Sequence, residues 1–188
     1  MKSYDYRIDK NLLRKVIGKT MNSYICDPFL YRNSVTQIVG LSIEDSTYKL
    51  TNIEQPVDYF GTEDDYSIFA LNKCDRNEIR SAIVGNEQIN TAINLPIRSI
   101  TLINEHQQLS EADNVTFSVW LTRAAIFHFS ENNEVMFQKD RVPFSEEIFI
   151  QRGYDLIKKV QDNDYFINNW SDGIMPLCES EIITLGRV

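Results

Sequence analysis

Leu12, Leu13, Val16, Ile17, Met21 and Tyr24 fall within one half of a 3.6-residue wheel, and Arg14, Lys15, Gly18, Lys19 and Asn22 fall on the other. That spacing predicts an amphipathic helix near the start of the chain. Asp9 is placed to cap it, and Asp27-Pro28 ends the element, because the residue before a proline avoids the helical region. From Val35 the period falls toward two. Strands are expected at Val35–Ile43 and Thr47–Leu50, flanking a turn at Glu44-Asp45-Ser46, and at Tyr66–Leu71 after the loop Gly61-Thr62-Glu63-Asp64-Asp65.

Between Asp75 and Pro96 the pattern supports two readings. Asp75 with Glu78 has the form of a capping box, and Ile79, Ala82 and Ile83 keep helical spacing before Gly85. The many β-branched residues of the same stretch fit a strand pair. Ile97–Ile103 and Val115–Phe129 read as strands, the second long enough to need a bend or bulge. Ala125–Phe129 and Glu134–Gln138 form a hairpin across Glu131-Asn132-Asn133. Its expected pairing sets Phe127 against Phe137 and Phe129 against Val135, with Asn133 left-handed. Ile148–Gln151 and Ile182–Leu185 are further strands, Tyr154–Val160 is a short helix, and Asp164 caps another over Tyr165–Trp170. The whole is read as α+β: a mainly antiparallel sheet, a partial barrel or two lobes, with the N-terminal amphipathic helix and one or two short helices near the C-terminus. Without a linker-like stretch, residues 1–188 are expected to form one domain.

Composition narrows the classes. A chain of 188 residues, 43% hydrophobic and 24% charged, buries roughly 70% of its unfolded surface without needing a disulfide or a metal. Three cysteines, widely spaced and odd in number, suit reduced thiols. With no secretory signal pattern at Met1–Lys10 and no apolar run of membrane length, the expected location is the cytoplasm. Richness in Ile and Asn, with few Ala and Gly, points to an AT-rich coding sequence, bacterial or mobile-element in origin.

The net charge of −8 is unevenly spread. Residues 1–32 carry seven bases and three acids, a surplus of +4, while residues 33–188 carry the other twelve bases and twenty-four acids, a balance of −12. The chain thus reads as a basic helical leader packed on an acidic, strand-rich body. Such a body is a poor ligand for nucleic acid, whose phosphates need a basic surface. Only Arg14, Lys15 and Lys19 of the leader are available for phosphate or a partner.

The motif search yields no reaction. Neither a nucleophile elbow nor a phosphate-cradling glycine loop occurs, and two histidines with three scattered cysteines supply no zinc spacing. Asp162-Asn163-Asp164 lacks the glycine and glutamate of a calcium loop, and Glu63-Asp64-Asp65 reads as a solvated turn. His128 reads as structural and His106 as exposed. Cys74, between Lys73 and Arg76, is the one thiol with cations beside it. The segment Phe137–Glu147 mixes aromatic and charged residues on one connection, where function often sits, but the favoured reading is a structured connection in which Val142 and Phe144 anchor the loop to the core.

The expected function is therefore a non-enzymatic binding or inhibitory protein, without cofactor or metal, whose acidic body docks on a basic protein surface. Immunity proteins and anti-defence inhibitors are analogues by charge, not by motif. The docking residues are Glu44, Asp45, Asp58, Glu63, Asp64 and Asp65. Two rivals stand beside it: an enzyme whose site is assembled around Cys74 or His128, and a structural or ligand-binding subunit using a barrel interior or a sheet edge.

Overall fold

A computed structural model of the chain describes residues 2–30, 32–58, 62–83, 85 and 87–186. In order along the chain these form β1 (Lys2–Tyr6), α1 (Lys10–Arg14), β2 (Thr20–Cys26), β3 (Ser34–Thr36), β4 (Ile38–Ile43), β5 (Ser46–Asp58) and β6 (Glu63–Cys74). Then follow β7 (Ile89–Pro96), β8 (Ser99–Glu111), β9 (Asn114–His128), β10 (Glu134–Lys139), β11 (Glu147–Gly153), α2 (Asp164–Asn168) and β12 (Ile174–Gly186). Two sheets result. The larger runs β12-β8-β9-β10-β11-β3, with β1 joined to β9 in parallel; the smaller runs β6-β5-β4-β2-β7. Val39, Leu41, Leu50 and Phe69 of the smaller sheet share one core with Ile100, Leu102, Phe127, Phe137 and Ile148 of the larger. No helix among the described residues is long and apolar enough to cross a membrane.

The α+β expectation fails. The described residues are 60% strand and 11% helical, in two sheets that are antiparallel except for the β1–β9 pair, and not one curled sheet. The N-terminal amphipathic helix is absent: helix is confined to the five residues of α1, and Gly18, at φ +86°, turns the chain into β2. β2 lies between β4 and β7, and its residues from Ser23 to Cys26 are all buried. The wheel ran across two elements: Leu12 and Leu13 belong to α1 and Met21 and Tyr24 to β2, where an irregularity between Met21 and the buried Ser23 breaks the alternation of a strand. Asp9 does cap α1, accepting the Asn11 N–H at 2.8 Å. Near the C-terminus the helices shrink to one 3-10 turn at Leu156–Lys159 and the five residues of α2, which begins at Asp164 itself.

The Phe127–Phe137 hairpin forms with a slip of two residues. Phe137 faces Ala125, and Val135 faces Phe127. A slip of two keeps every side chain on its face, so Phe127 and Phe137 still meet edge to face at 5.9 Å. The spare residues make a 3-10 turn at Ser130–Asn132, where Asn132, not Asn133, is left-handed.

Between Asp75 and Pro96 both signals are partly realised. Glu78 Oε1 accepts the Asp75 N–H at 2.9 Å, but only one 3-10 turn follows, and Ile89–Pro96 is strand. Ile79 then lies across Gly40 on β4, where an added Cβ would stand 2.8 Å from Ile79 Cγ2. Gly40→Ala is expected to cost about 1–3 kcal/mol through overpacking. Ile79→Ala in the same chain should recover part of that loss. A double-mutant cycle on urea unfolding midpoints checks it, and strict additivity would show that the two residues do not press on each other.

Candidate functional site

The site is built on charges the fold has buried. Pairing of β8 with β9 shifts between Ile103/Ala124 and Asn104/Thr122, leaving Arg123 as the extra residue of a bulge. Its side chain is 1% exposed, with Nε 3.2 Å from Glu105 Oε1 and Nη1 donating to Asp140 O at 2.9 Å. Glu105 Oε2 accepts from Gln107 Nε2 at 2.8 Å, and Gln107 Oε1 accepts the Tyr66 hydroxyl. Lys139, at the end of β10, is also 1% exposed, and its Nζ lies 5.6 Å from the Tyr66 ring centroid. Burial, and then the Arg123 charge, bring the Lys139 amine down to about 7. The Cys178 thiol beside this group goes the other way, to about 12, through burial and the Glu105 carboxylate.

The buried cations organise a loop. Lys139 Nζ donates to the carbonyls of Asp140, Val142 and Pro143 at 3.2, 3.1 and 3.4 Å. From the other side Ser67 donates its N–H and its hydroxyl to Pro143 O, each at 2.8 Å. Asn52 Nδ2 donates to Ser145 O and Glu147 O at 2.9 and 3.0 Å, and Glu146 Oε1 accepts the Glu54 N–H at 3.0 Å. The segment between β10 and β11 is thus fixed along its backbone and not by Phe144, which was expected to anchor it to the core and instead stands out 55% exposed.

α2 supplies the facing wall. Phe166 enters a second core with Val57, Tyr66 and Phe117. Trp170 packs edge-on to Phe166 at 5.5 Å, its indole N–H donating to Phe166 O. Between this wall, Phe144 and the first residues of β6 lies a cleft of about 330 Å³, lined by Glu63, Asp64, Asp65, Phe144, Tyr165 and Trp170 among others, with no basic residue among its described lining. The arrangement suits an organic cation: carboxylates neutralise the charge, and ring faces attract it.

The docking residues read from sequence separate into two places. Glu63, Asp64 and Asp65 belong to β6, not to a loop, and line the cleft; Asp58 faces Glu63 across the β5–β6 pairing, its N–H donating to the Tyr4 hydroxyl at 3.0 Å. Glu44 and Asp45 sit in the turn before β5, at the far end of a 13-residue strand, roughly 40 Å of extended chain away. Of the basic residues, Lys19 lies 3.5 Å from Glu44, Arg14 donates to Asn11 Oδ1 at 3.2 Å, and Lys15 is exposed.

Cys74 and His128 are on different sheets. Burial and Glu78 raise the Cys74 thiol, despite the cations beside it in sequence. His128 contacts Thr101 Oγ1 at 2.8 Å and Glu134 Oε1 at 3.2 Å. His106 is only half-exposed; it stacks on Trp120 with ring centroids 4.5 Å apart, and Arg7 lies over the same indole at 4.6 Å. Asp162 pairs with Arg141 at 2.9 Å, and no group of three or more His, Cys, Asp or Glu among the described residues is placed to hold a metal.

Sequence reasoning gave no role to Arg123, Lys139, Glu105, Tyr165 or Trp170. A signal existed for two of them: Lys139 stands in the mixed Phe137–Glu147 segment, and Arg123 interrupts the most apolar run of the chain, which an arginine does inside a core only with partners. Neither a protein-family model, nor a curated protein, nor a solved structure matches the chain.

Proposed function

We propose that the chain is a binding protein that docks on a basic protein surface by taking a lysine or arginine side chain into the acid–aromatic cleft. The observation that carries this reading is the meeting of Glu63, Asp64 and Asp65 with Phe144, Tyr165 and Trp170 around one concavity. Carboxylates on a strand, with Phe144 on a pinned loop and Tyr165 on a helix, lose little entropy on binding, which favours an anchor residue over a diffuse contact. The acidic surplus of residues 33–188 adds long-range attraction to the same partner. Inhibition of a nucleic-acid-handling protein is one use of such a surface.

The test is a titration of the full chain with tetra-arginine and tetra-lysine peptides at low salt, followed by tryptophan fluorescence in a Trp120→Phe background. Glu63→Lys/Asp64→Lys is expected to weaken binding by at least about tenfold. Glu44→Lys/Asp45→Lys changes net charge equally at the other end of β5, and should weaken it no more than about twofold. Equal losses in both variants would reduce the cleft to bulk charge and overturn the reading.

A further inference from the structure

A second concavity, about 400 Å³, lies where the β3 edge of the larger sheet meets the end of β2. Asp27, the residue directly after β2, lines it and is only 3% exposed. Its Oδ2 accepts the Ala82 N–H at 3.1 Å, within a turn closed by Ser81 Oγ, which accepts the Ile83 N–H at 3.0 Å. Asp27 Oδ1 is buried and has no hydrogen-bond partner among the described residues.

Buried carboxylate oxygens are ordinarily paired, because leaving one bare forfeits hydration without return. Here the surroundings say what would pair it. Glu147 adds a second carboxylate to the lining and Arg32 one cation, which leaves a surplus of one negative charge. Ser34 and Thr36 offer hydroxyl acceptors, while Leu30, Val35 and Ile83 make an apolar side. The volume lies in the range of small-molecule sites. The Cys26 thiol beside Asp27 is held up to about 11 by burial and by that carboxylate, consistent with a negative, poorly solvated corner.

We propose that this pocket binds a small primary amine, its ammonium donating to Asp27 Oδ1 and its alkyl part lying along Leu30 and Ile83. A primary ammonium has three donors and one charge, and so answers the bare oxygen, the surplus carboxylate and the hydroxyls together. The site is separate from the cleft at β6 and stands or falls independently of it.

Amide NMR of the full chain, titrated with n-butylammonium chloride at constant ionic strength, tests the assignment. The Ala82 amide, which reports directly on Asp27, is expected to shift saturably, and n-butanol to leave it in place. Asp27→Asn keeps an acceptor for Ala82 while removing the charge, and should lose at least about tenfold in affinity with its amide dispersion retained. Should that variant unfold, Glu147→Gln on the rim is expected to lose about threefold. Nα-acetyl-lysine amide, whose backbone needs room outside the pocket, should bind more weakly than n-butylammonium; tighter binding would overturn the assignment to a small molecule. An unshifted Ala82 amide, an equal response to n-butanol, or undiminished affinity in the variants would overturn the site.

Discussion

Deletion of residues 1–32 is expected to abolish cooperative folding. The segment supplies β2, which is paired on both sides in the smaller sheet, and β1, which is paired to β9 in the larger. It also places Ile8, Leu13, Val16, Met21, Tyr24 and Ile25 in the interior. At about 2 kcal/mol for each buried apolar side chain, the loss matches the whole ~5–15 kcal/mol by which a domain is stable. The truncated chain should therefore show no sigmoidal transition in thermal circular dichroism. Arg14→Ala/Lys15→Ala, which removes exposed charge from the same segment, should stay within about 1 kcal/mol of the parent. A cooperative melt from the truncated chain would contradict the placement of β2.

Removing Glu105 is expected to have the next largest effect. The residue is the carboxylate paired with the buried Arg123 guanidinium, and Glu105→Ala would leave that cation in the interior with the Asp140 carbonyl and no anion to balance it. Breaking such a group typically costs about 3–5 kcal/mol, well above the usual core substitution. Lys139→Met should behave differently. It removes one of the two cations and preserves volume, at the expense of the hydrogen bonds to the 140–143 carbonyls. Its global stability should change by no more than about 1 kcal/mol, while the Phe144 wall loosens.

The same lysine sets a pH signature. Its amine loses the proton near 7 in the folded state and near its ordinary 10.5 when unfolded. Above pH 7 the unfolded chain binds more protons, so stability must rise with pH. Cys26 and Cys178 act in the opposite sense, since their thiols are raised from 9.0 to about 11 and about 12, so their contribution falls away only as pH passes 9. Urea midpoints should therefore climb between pH 7 and 8.5 in the parent and lie flatter in Lys139→Met. Parallel curves would mean that Lys139 keeps its proton through that range.

How legible all this was depended on whether a residue's neighbours in sequence are also its neighbours in space. The strand pattern within Ile38–Ile43, Ser46–Asp58 and Glu63–Cys74 is local, and parts of those strands were found, but Val35–Ile43, read as one strand, breaks at the left-handed Gln37 into β3 and β4 of different sheets. β2 was lost because the irregularity at Met21–Ser23 interrupts its alternation, and the hairpin register because a slip of two obeys the same face pattern. Half of the cleft stands in one run of acids at Glu63–Asp65, but Phe144, Tyr165 and Trp170 come from about 80–100 residues further on. Nothing local announces that meeting. The basic character of residues 1–32 was legible as composition, yet its use is internal as much as external: Lys19 faces Glu44, and Arg7 lies 3.7 Å from Glu181.

The parallel pairing of β1 with β9 also imposes an order in time. Lys2–Tyr6 matches Phe117–Leu121, so β1 leaves the ribosome with its partner 115 residues behind it. At synthesis rates of about 5–20 residues per second that is a wait on the order of ten seconds, with Tyr4 and Tyr6 uncovered. The larger sheet cannot take up β1 until β9 has emerged, and that pairing forms late, against the entropy of a long loop. Assembly of this chain is thus set by its slowest long-range contact, and a variant that weakens β1 should be felt first in refolding rate and yield.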